Sequence, residues 1–265
     1  MSNRGWEAGT VVAGADVRGR ADGSTDARVA LVTGASRGIG AEVARLLGGA
    51  GVHVLVNYRE KAKRAAAVVD EIRAAGGQAS AAGADVCDEA QVQALLVDID
   101  EQFGALNMLV LNASGGLERG ADPGYAMRLN RDAQLRLATL ALPLMPPGAR
   151  IVFVTSHQAH FFPAKPVPDG YEPIAQSKRA GEDALLSAKT VLNDSGIELK
   201  VVSGDMIDGT IIVRLLHRKD PEAVQARRGH APLPTVEEFA AAIARAALHP
   251  DAPDTTYVGG ADYLE

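Results

Sequence analysis

From Arg28 onward the apolar residues alternate between two patterns. Short runs rich in Val, Ile, Leu and Ala predict strands over 29–33, 52–57, 78–82, 108–111, 151–155, 197–202 and 256–258. Between them lie Ala-rich stretches of helical length with an amphipathic period, predicting helices over 39–50, 61–75, 89–103, 126–142, 173–193 and 236–248. Strands that are apolar throughout need cover on both faces, so the alternation predicts an α/β, doubly wound parallel sheet flanked by helices in a single domain. The first 28 residues break the pattern. They carry five glycines, no lasting period and no apolar segment of the kind a secretory signal uses, and are read as a flexible N-terminal arm (1–28) before the domain (29–265).

Composition narrows the class. Of 265 residues, 47% are apolar and 23% charged, which supplies a core and argues against global disorder. The formal net charge is −6 and no basic block occurs, so a nucleic-acid partner is not expected. A single cysteine, Cys87, builds neither a disulfide framework nor a Cys-rich zinc site, and no run approaches the ~18 apolar residues of a membrane span. A cytoplasmic protein acting on a small molecule, with no metal and no membrane partner, is the expectation.

The first strand runs into Thr33-Gly34-Ala35-Ser36-Arg37-Gly38-Ile39-Gly40 and then a helix. Glycines there permit a tight turn and close backbone approach, so that a pyrophosphate can lie at the positive end of the helix. The strand, loop, helix, strand context is the one dinucleotide binding demands.

This loop resembles the Thr-Gly-x-x-x-Gly-x-Gly loop of the short-chain dehydrogenase/reductase family. Further matches follow in order: Asp85-Val86 after the third strand, Asn112-Ala113-Ser114-Gly115 after the fourth, and Gly259-Gly260 near the end. The resemblance runs from about residue 28 to 265. It implies a Rossmann-type fold, a nicotinamide cofactor and assembly as a homodimer or homotetramer. It assigns cofactor contacts to Gly34, Ser36, Arg37, Gly38, Ile39, Gly40, Asp85, Val86, Asn112, Ala113, Ser114, Ile207 and Thr210. At the end of the second strand an acid would favour NAD, but the chain has Asn57-Tyr58-Arg59; Arg59 and Arg37 suit a 2′-phosphate, so NADPH is the expected cofactor.

The family's catalytic set is Asn, Ser, Tyr and Lys. Asn130, Ser156 and Lys178 match three of these, and Lys178 is also expected to bind the cofactor ribose. The tyrosine should stand four residues before the lysine, where this chain has Ile174. Tyr171 is near, but Pro173 favours a helix start and places Tyr171 in the preceding loop; on a continuous helix it would lie two turns, about 10 Å, from Lys178. A positioned acid contributes roughly 10²- to 10⁴-fold, so its loss needs compensation.

An iminium carbon that accepts hydride becomes a neutral amine without that acid. The expectation is therefore an NADP-dependent oxidoreductase that reduces an imine, iminium or hemiaminal, with Ile174 as an apolar wall. Some family members reduce hemiaminals of tetrahydroisoquinoline antibiotics, which points to antibiotic inactivation or secondary metabolism. His157 and Tyr171 are candidate proton donors and His160 a substrate contact, because imidazole titrates near neutrality. Asp205 and Asp208 add negative charge that would attract a cationic substrate, or simply form turns. A helix over 211–218 and the basic segment to 228 are expected to form a substrate lid near 205–232. Two alternatives remain: a carbonyl reductase with a relocated proton donor, and a catalytically silent NADPH sensor or scaffold.

Overall fold

Seven strands form one sheet in which every neighbouring pair is parallel: β1 (Val29–Val32), β2 (His53–Tyr58), β3 (Gln78–Gly83), β4 (Met108–Leu111), β5 (Arg150–Ser156), β6 (Glu198–Gly204) and β7 (Thr255–Val258), in the order β3-β2-β1-β4-β5-β6-β7. The computed structural model describes residues 28–260 except 117–121, 123, 169, 211–212, 215–216 and 219–220. The expected arm, apart from Arg28, lies outside the described residues. So does half of the helix expected over 211–218; its described residues, 213–214 and 217–218, are helical.

Side chains alternate across the sheet, and both faces are apolar. Leu31, Leu109, Ile151 and Leu199 point to one side, where they pack with α3 (Glu89–Phe103) and with Leu137 and Leu185. Ala30, Val32, Val110 and Val152 point to the other, against α1 (Gly38–Gly49), α2 (Ala62–Ala74) and the last helix. Burial on two faces is why these strands carry no polar alternation. Among the described residues no helix is long and apolar enough to cross a membrane.

Two predicted helices differ in form. The stretch expected over 126–142 is built of three contiguous pieces, Tyr125–Met127, a π-helical turn Arg128–Ala133 and Gln134–Ala141, together called α4. The stretch expected over 173–193 divides at Ala188 into α6 (Glu172–Ser187) and α7 (Lys189–Asp194), after a short α5 (His157–His160). The wide turn of α4 brings backbone against backbone: a Cβ on Gly181 of α6 would overlap the carbonyl oxygen of Asn130. A helix-interior glycine loses about 1 kcal/mol relative to alanine, and this approach is what that loss permits.

Sheet order reverses between β1 and β4, opening a crevice beyond their C-terminal ends, the place where such sheets bind ligands. One rim carries α8 (Pro221–His230), followed by α9 (Val236–Leu248), whose start is fixed by a reciprocal Thr235/Glu238 capping box. Met206, Val213, Val224 and Leu233 form a small apolar cluster of their own at this rim.

Candidate active site

The crevice encloses a cavity of about 640 Å³. At its floor, one buried hydroxyl joins the two central strand ends. Thr33 Oγ1 donates to the Val110 carbonyl (3.1 Å) and accepts from the backbone N–H groups of Asn112 and Ala113 (both 2.9 Å), while Asn112 Nδ2 donates to the Thr33 carbonyl (2.9 Å). Beside it α1 begins at Gly38. No side chain caps this helix and no acid lies in its first turn, so its N–H groups and positive dipole end are available to an anion. Gly38 holds φ +56°, and the space a Cβ would enter is open; at Gly40 a Cβ would stand 2.6 Å from Asn112 Nδ2 and 2.8 Å from the Gly34 carbonyl. The loop thus leaves room for a diphosphate over Gly38 and none for a side chain at Gly40, which is the fit a dinucleotide requires.

All the residues that the sequence assigns to the cofactor line this cavity. Asn57 does so in an unexpected way. Its Nδ2 donates to the Ala82 (3.0 Å) and Ala84 (3.1 Å) carbonyls and its Oδ1 accepts from Gly34 N–H (3.3 Å), so the amide ties β2, β3 and the glycine loop together. Arg59 follows at the same end. Its Nη1 donates to the Tyr125 hydroxyl (2.5 Å) and its Nη2 pairs with Glu60 (3.1 Å). Asp85 accepts from Cys87 N–H (2.9 Å), shaping the turn after β3.

At the opposite end, Tyr171 stands where the sequence reading puts it, in the loop just before the helix that Glu172 and Pro173 begin, and that loop folds back: Tyr171 is the N-cap, its carbonyl accepts from Ile174 and Ala175 N–H, and its ring is buried with Ala126, Ile174 and Ala175. Its hydroxyl stands 3.4 Å from Ser156 Oγ inside the cavity. Burial raises the Tyr171 pKa above its ordinary value and the Ser156 hydrogen bond opposes that, so the phenol carries its proton at neutral pH. Ile174 also lines the cavity, as an apolar wall.

Lys178, two turns along α6, reaches the same cavity. Burial pulls its ammonium down to about 8, against an upward push from Glu182. Asn130 does not line the cavity; it positions what does. Its Nδ2 donates to the Gly115 carbonyl (3.0 Å) and to Ser177 Oγ (2.9 Å), and its Oδ1 accepts from Gly115 N–H (3.2 Å), locking the loop after β4 to α6.

Three expectations are overturned by packing. His157 faces away from the cavity and is fully buried, with Nδ1 2.7 Å from Ser203 Oγ and Nε2 2.9 Å from the Gly259 carbonyl. A carbonyl only accepts, so Nε2 carries the hydrogen and Nδ1 accepts from Ser203; both nitrogens brace β6 and the chain end, and neither reaches a substrate. His160 likewise lies outside the cavity lining, between Tyr257 and Glu182. Asp205 does line the cavity, but its carboxylate is paired with Arg227 of α8, so it does not present an unbalanced charge to a cationic substrate. Asp208 is similarly paired with Arg228 (2.9 Å). The sequence reading missed Gln158 and Tyr125, which line the two ends of the cavity. Gln158 lies between His157 and Ala159 with no motif to mark it; Tyr125 lies one turn before Leu129 on the face that the helical period assigns to the crevice.

Comparison with known proteins agrees with this architecture. A family model described as short chain dehydrogenase matches residues 28–219. Over 140 residues the chain is 39% identical to the versicolorin reductase stcU of Emericella nidulans, covering 51% of this chain and 53% of that protein, so the chain spans about half the length of the curated relatives it matches. Among solved structures, the angucycline C-6 ketoreductase LanV with bound NADP superposes with a TM-score of 0.73 at 27% identity, covering 87% of this chain and 93% of that one. A short chain dehydrogenase from Burkholderia cenocepacia in complex with NADP gives a TM-score of 0.74 at 29% identity, covering 89% and 98%.

Proposed function

The chain belongs to the short chain dehydrogenase family, and from that premise we propose that it is an NADP(H)-dependent reductase of a small-molecule ketone, with Tyr171 as proton donor. The observation that carries this reading is the buried phenol of Tyr171, whose oxygen stands 3.4 Å from Ser156 Oγ in the cavity. The imine or hemiaminal expectation rested on Ile174 standing where a phenol belongs. With a phenol already at Ser156, that premise falls away.

The cofactor would be held by the α1 N-terminus at its diphosphate, by Asp85, Val86 and Leu129 at the adenine end, and by Ile207, Thr210 and Lys178 toward the nicotinamide. Its reduced ring supplies the hydride when bound. Arg59 and Arg37, with no acid at position 57, favour a 2′-phosphate, and two structural neighbours were solved with NADP. Ser156 orients the ketone oxygen by hydrogen bonding, and Tyr171 delivers its proton to the oxyanion that forms there. Ile174, Met206 and Val213 give the substrate end apolar walls that exclude water. The names of the relatives, among them a hydroxynaphthalene reductase and an angucycline ketoreductase, support a ring-bearing ketone of secondary metabolism. Exposed Leu186 and Val191 on α6 and α7 support association with a second copy.

Tyr171→Phe tests the proposal against paired aromatic ketones and cyclic imines, with NADPH oxidation followed by absorbance. Ketone reduction should fall roughly 10²- to 10⁴-fold while any imine reduction stays level. Unchanged ketone turnover would remove Tyr171 from the role, and NADPH binding without oxidation across the panel would favour a sensor.

A further inference from the structure

Gln158 is a buried amide that takes no part in the chemistry of Ser156 and Tyr171. It is the second residue of α5, and successive helical residues turn by about 100° around the axis. His157 points back to Ser203 and Gly259, while Gln158 swings onto the cavity wall two residues beyond Ser156. The residue is only 4% exposed, yet among the described residues its side-chain amide makes no hydrogen bond. The unpaired polar atoms that are closed off from all solvent belong to other residues, Thr155 Oγ1 among them, so what remains open at Gln158 opens into the cavity. A primary amide carries two donor hydrogens and an acceptor oxygen, and leaving one unpaired in the interior costs stability that no contact within the protein offsets. Such a group fits a molecule that enters from the cavity.

Its surroundings specify that molecule. At the neighbouring strand end Asp205 is balanced by Arg227, so this pair presents no unbalanced charge. Ser156 and Tyr171 face each other at 3.4 Å, where the proposed reduction places the reacting carbonyl. Ile174, Met206 and Val213 wall the same end with apolar surface. A neutral donor and acceptor set in an apolar wall recognises an uncharged oxygen, and a hydroxyl, which both donates and accepts, can meet either half of the amide. Two residues span at most about 7 Å of chain, which keeps Gln158 and Ser156 within reach of one small molecule.

We propose that Gln158 is a specificity-determining residue: its amide hydrogen-bonds a second oxygen, a hydroxyl, carried by the ring ketone that Ser156 and Tyr171 engage. A ketone lacking that oxygen displaces water from the amide without replacing its hydrogen bonds, and the loss is felt as discrimination. The inference rests on the ketone-reductase reading and names the substrate class within it, hydroxylated ring ketones in preference to plain ones.

Steady-state NADPH oxidation with tetralone and its ring-hydroxylated isomers gives ratios of kcat/KM in which differences in the amount of folded enzyme cancel. For the wild type, at least one hydroxytetralone should exceed tetralone roughly tenfold, as one or two neutral hydrogen bonds contribute. Gln158→Met, similar in length but without the amide, should bring that ratio to about one, through a higher KM for the hydroxytetralone. Its Tm should be no lower than that of the wild type, because no internal hydrogen bond is lost. A wild-type ratio near one for every isomer, or an undiminished ratio in Gln158→Met, overturns the proposal; so does a lower Tm with the preference intact, the mark of a structural residue. If Gln158→Met does not fold, Gln158→Leu is read in the same way. Should none of these ketones oxidise NADPH, the reductase reading fails by itself, and calorimetric binding of the same series to the NADPH complex decides for Gln158: tighter binding of a hydroxytetralone that Gln158→Met abolishes supports the proposal, and equal affinities overturn it.

Discussion

Gly181→Ala separates positioning from stability. The added methyl would lie 3.1 Å from the carbonyl carbon of Asn130 and 3.3 Å from Cα of Arg131, and would overlap the Asn130 oxygen. Carbon atoms settle at about 3.5 to 4.0 Å, so α6 and α4 must part by something on the order of 1 Å. Overpacking of this kind costs about 1 to 3 kcal/mol, offset by about 1 kcal/mol of better helix propensity. The net loss is about 0 to 2 kcal/mol, a fall in Tm of a few degrees for a chain of this size. Activity should suffer far more. Tyr171 caps α6, Lys178 rides on it, and Asn130 fixes the β4 loop to it; a displacement of about 1 Å of reacting groups costs roughly 10²-fold. Calorimetry and steady-state NADPH oxidation on the same preparation check this, with Gly49→Ala in α1, where the methyl meets nothing within 4 Å, as a control expected to keep wild-type activity and to lose no stability. Wild-type turnover in Gly181→Ala, or a collapse in Tm that accounts for the lost activity, would refute the reasoning.

Arg59→Ala should raise the KM for NADPH roughly tenfold and leave that for NADH nearly unchanged, since a partly exposed guanidinium contributes a modest charge-assisted contact; equal effects on both cofactors in steady-state assays would end its proposed role. Arg227→Ala should destabilise the fold by about 3 to 5 kcal/mol in denaturant titrations by stranding the buried Asp205 carboxylate, whereas Asp205→Asn combined with Arg227→Met should be close to neutral; similar losses in both would argue against a stranded charge. Burial lowers the pKa values of His53 and His157 below their ordinary 6.5, so the unfolded chain binds more protons as pH falls through 6.5. Stability contributed by the neutral imidazoles is therefore complete above that pH and lost below it: Tm should drop from pH 7 to pH 5, and the drop should be shallower in His157→Gln.

The order of strands and helices was legible because burial on both sheet faces writes itself as uninterrupted apolar runs, as at 108–111 and 151–155. The cofactor end was legible for a related reason: the glycine loop, Asp85-Val86 and Asn112-Ala113 are local backbone features, and local features leave local signals. What failed was tertiary. The sequence places Tyr171 in the loop before Lys178's helix and keeps it as a candidate donor, but nothing in the order of residues says that this loop doubles back to seat the phenol against Ser156. The acid at 205 reads as a turn residue or an attractant until Arg227, 22 positions on, is seen beside it. His157 and His160 look like surface proton donors in a string of letters; Ser203, Gly259 and Tyr257, which hold them, come from strands and turns far along the chain.

The Thr33 hydroxyl has an outcome beyond its four atoms. Because it clamps the ends of β1 and β4 together before any ligand arrives, the two loops that flank the entry hold their shape unaided, and association does not have to freeze them. Thr33→Val, nearly the same in volume, would loosen that keystone: dinucleotide capture would then carry the entropy of ordering both loops, seen by calorimetry as a weaker affinity with a less favourable entropy.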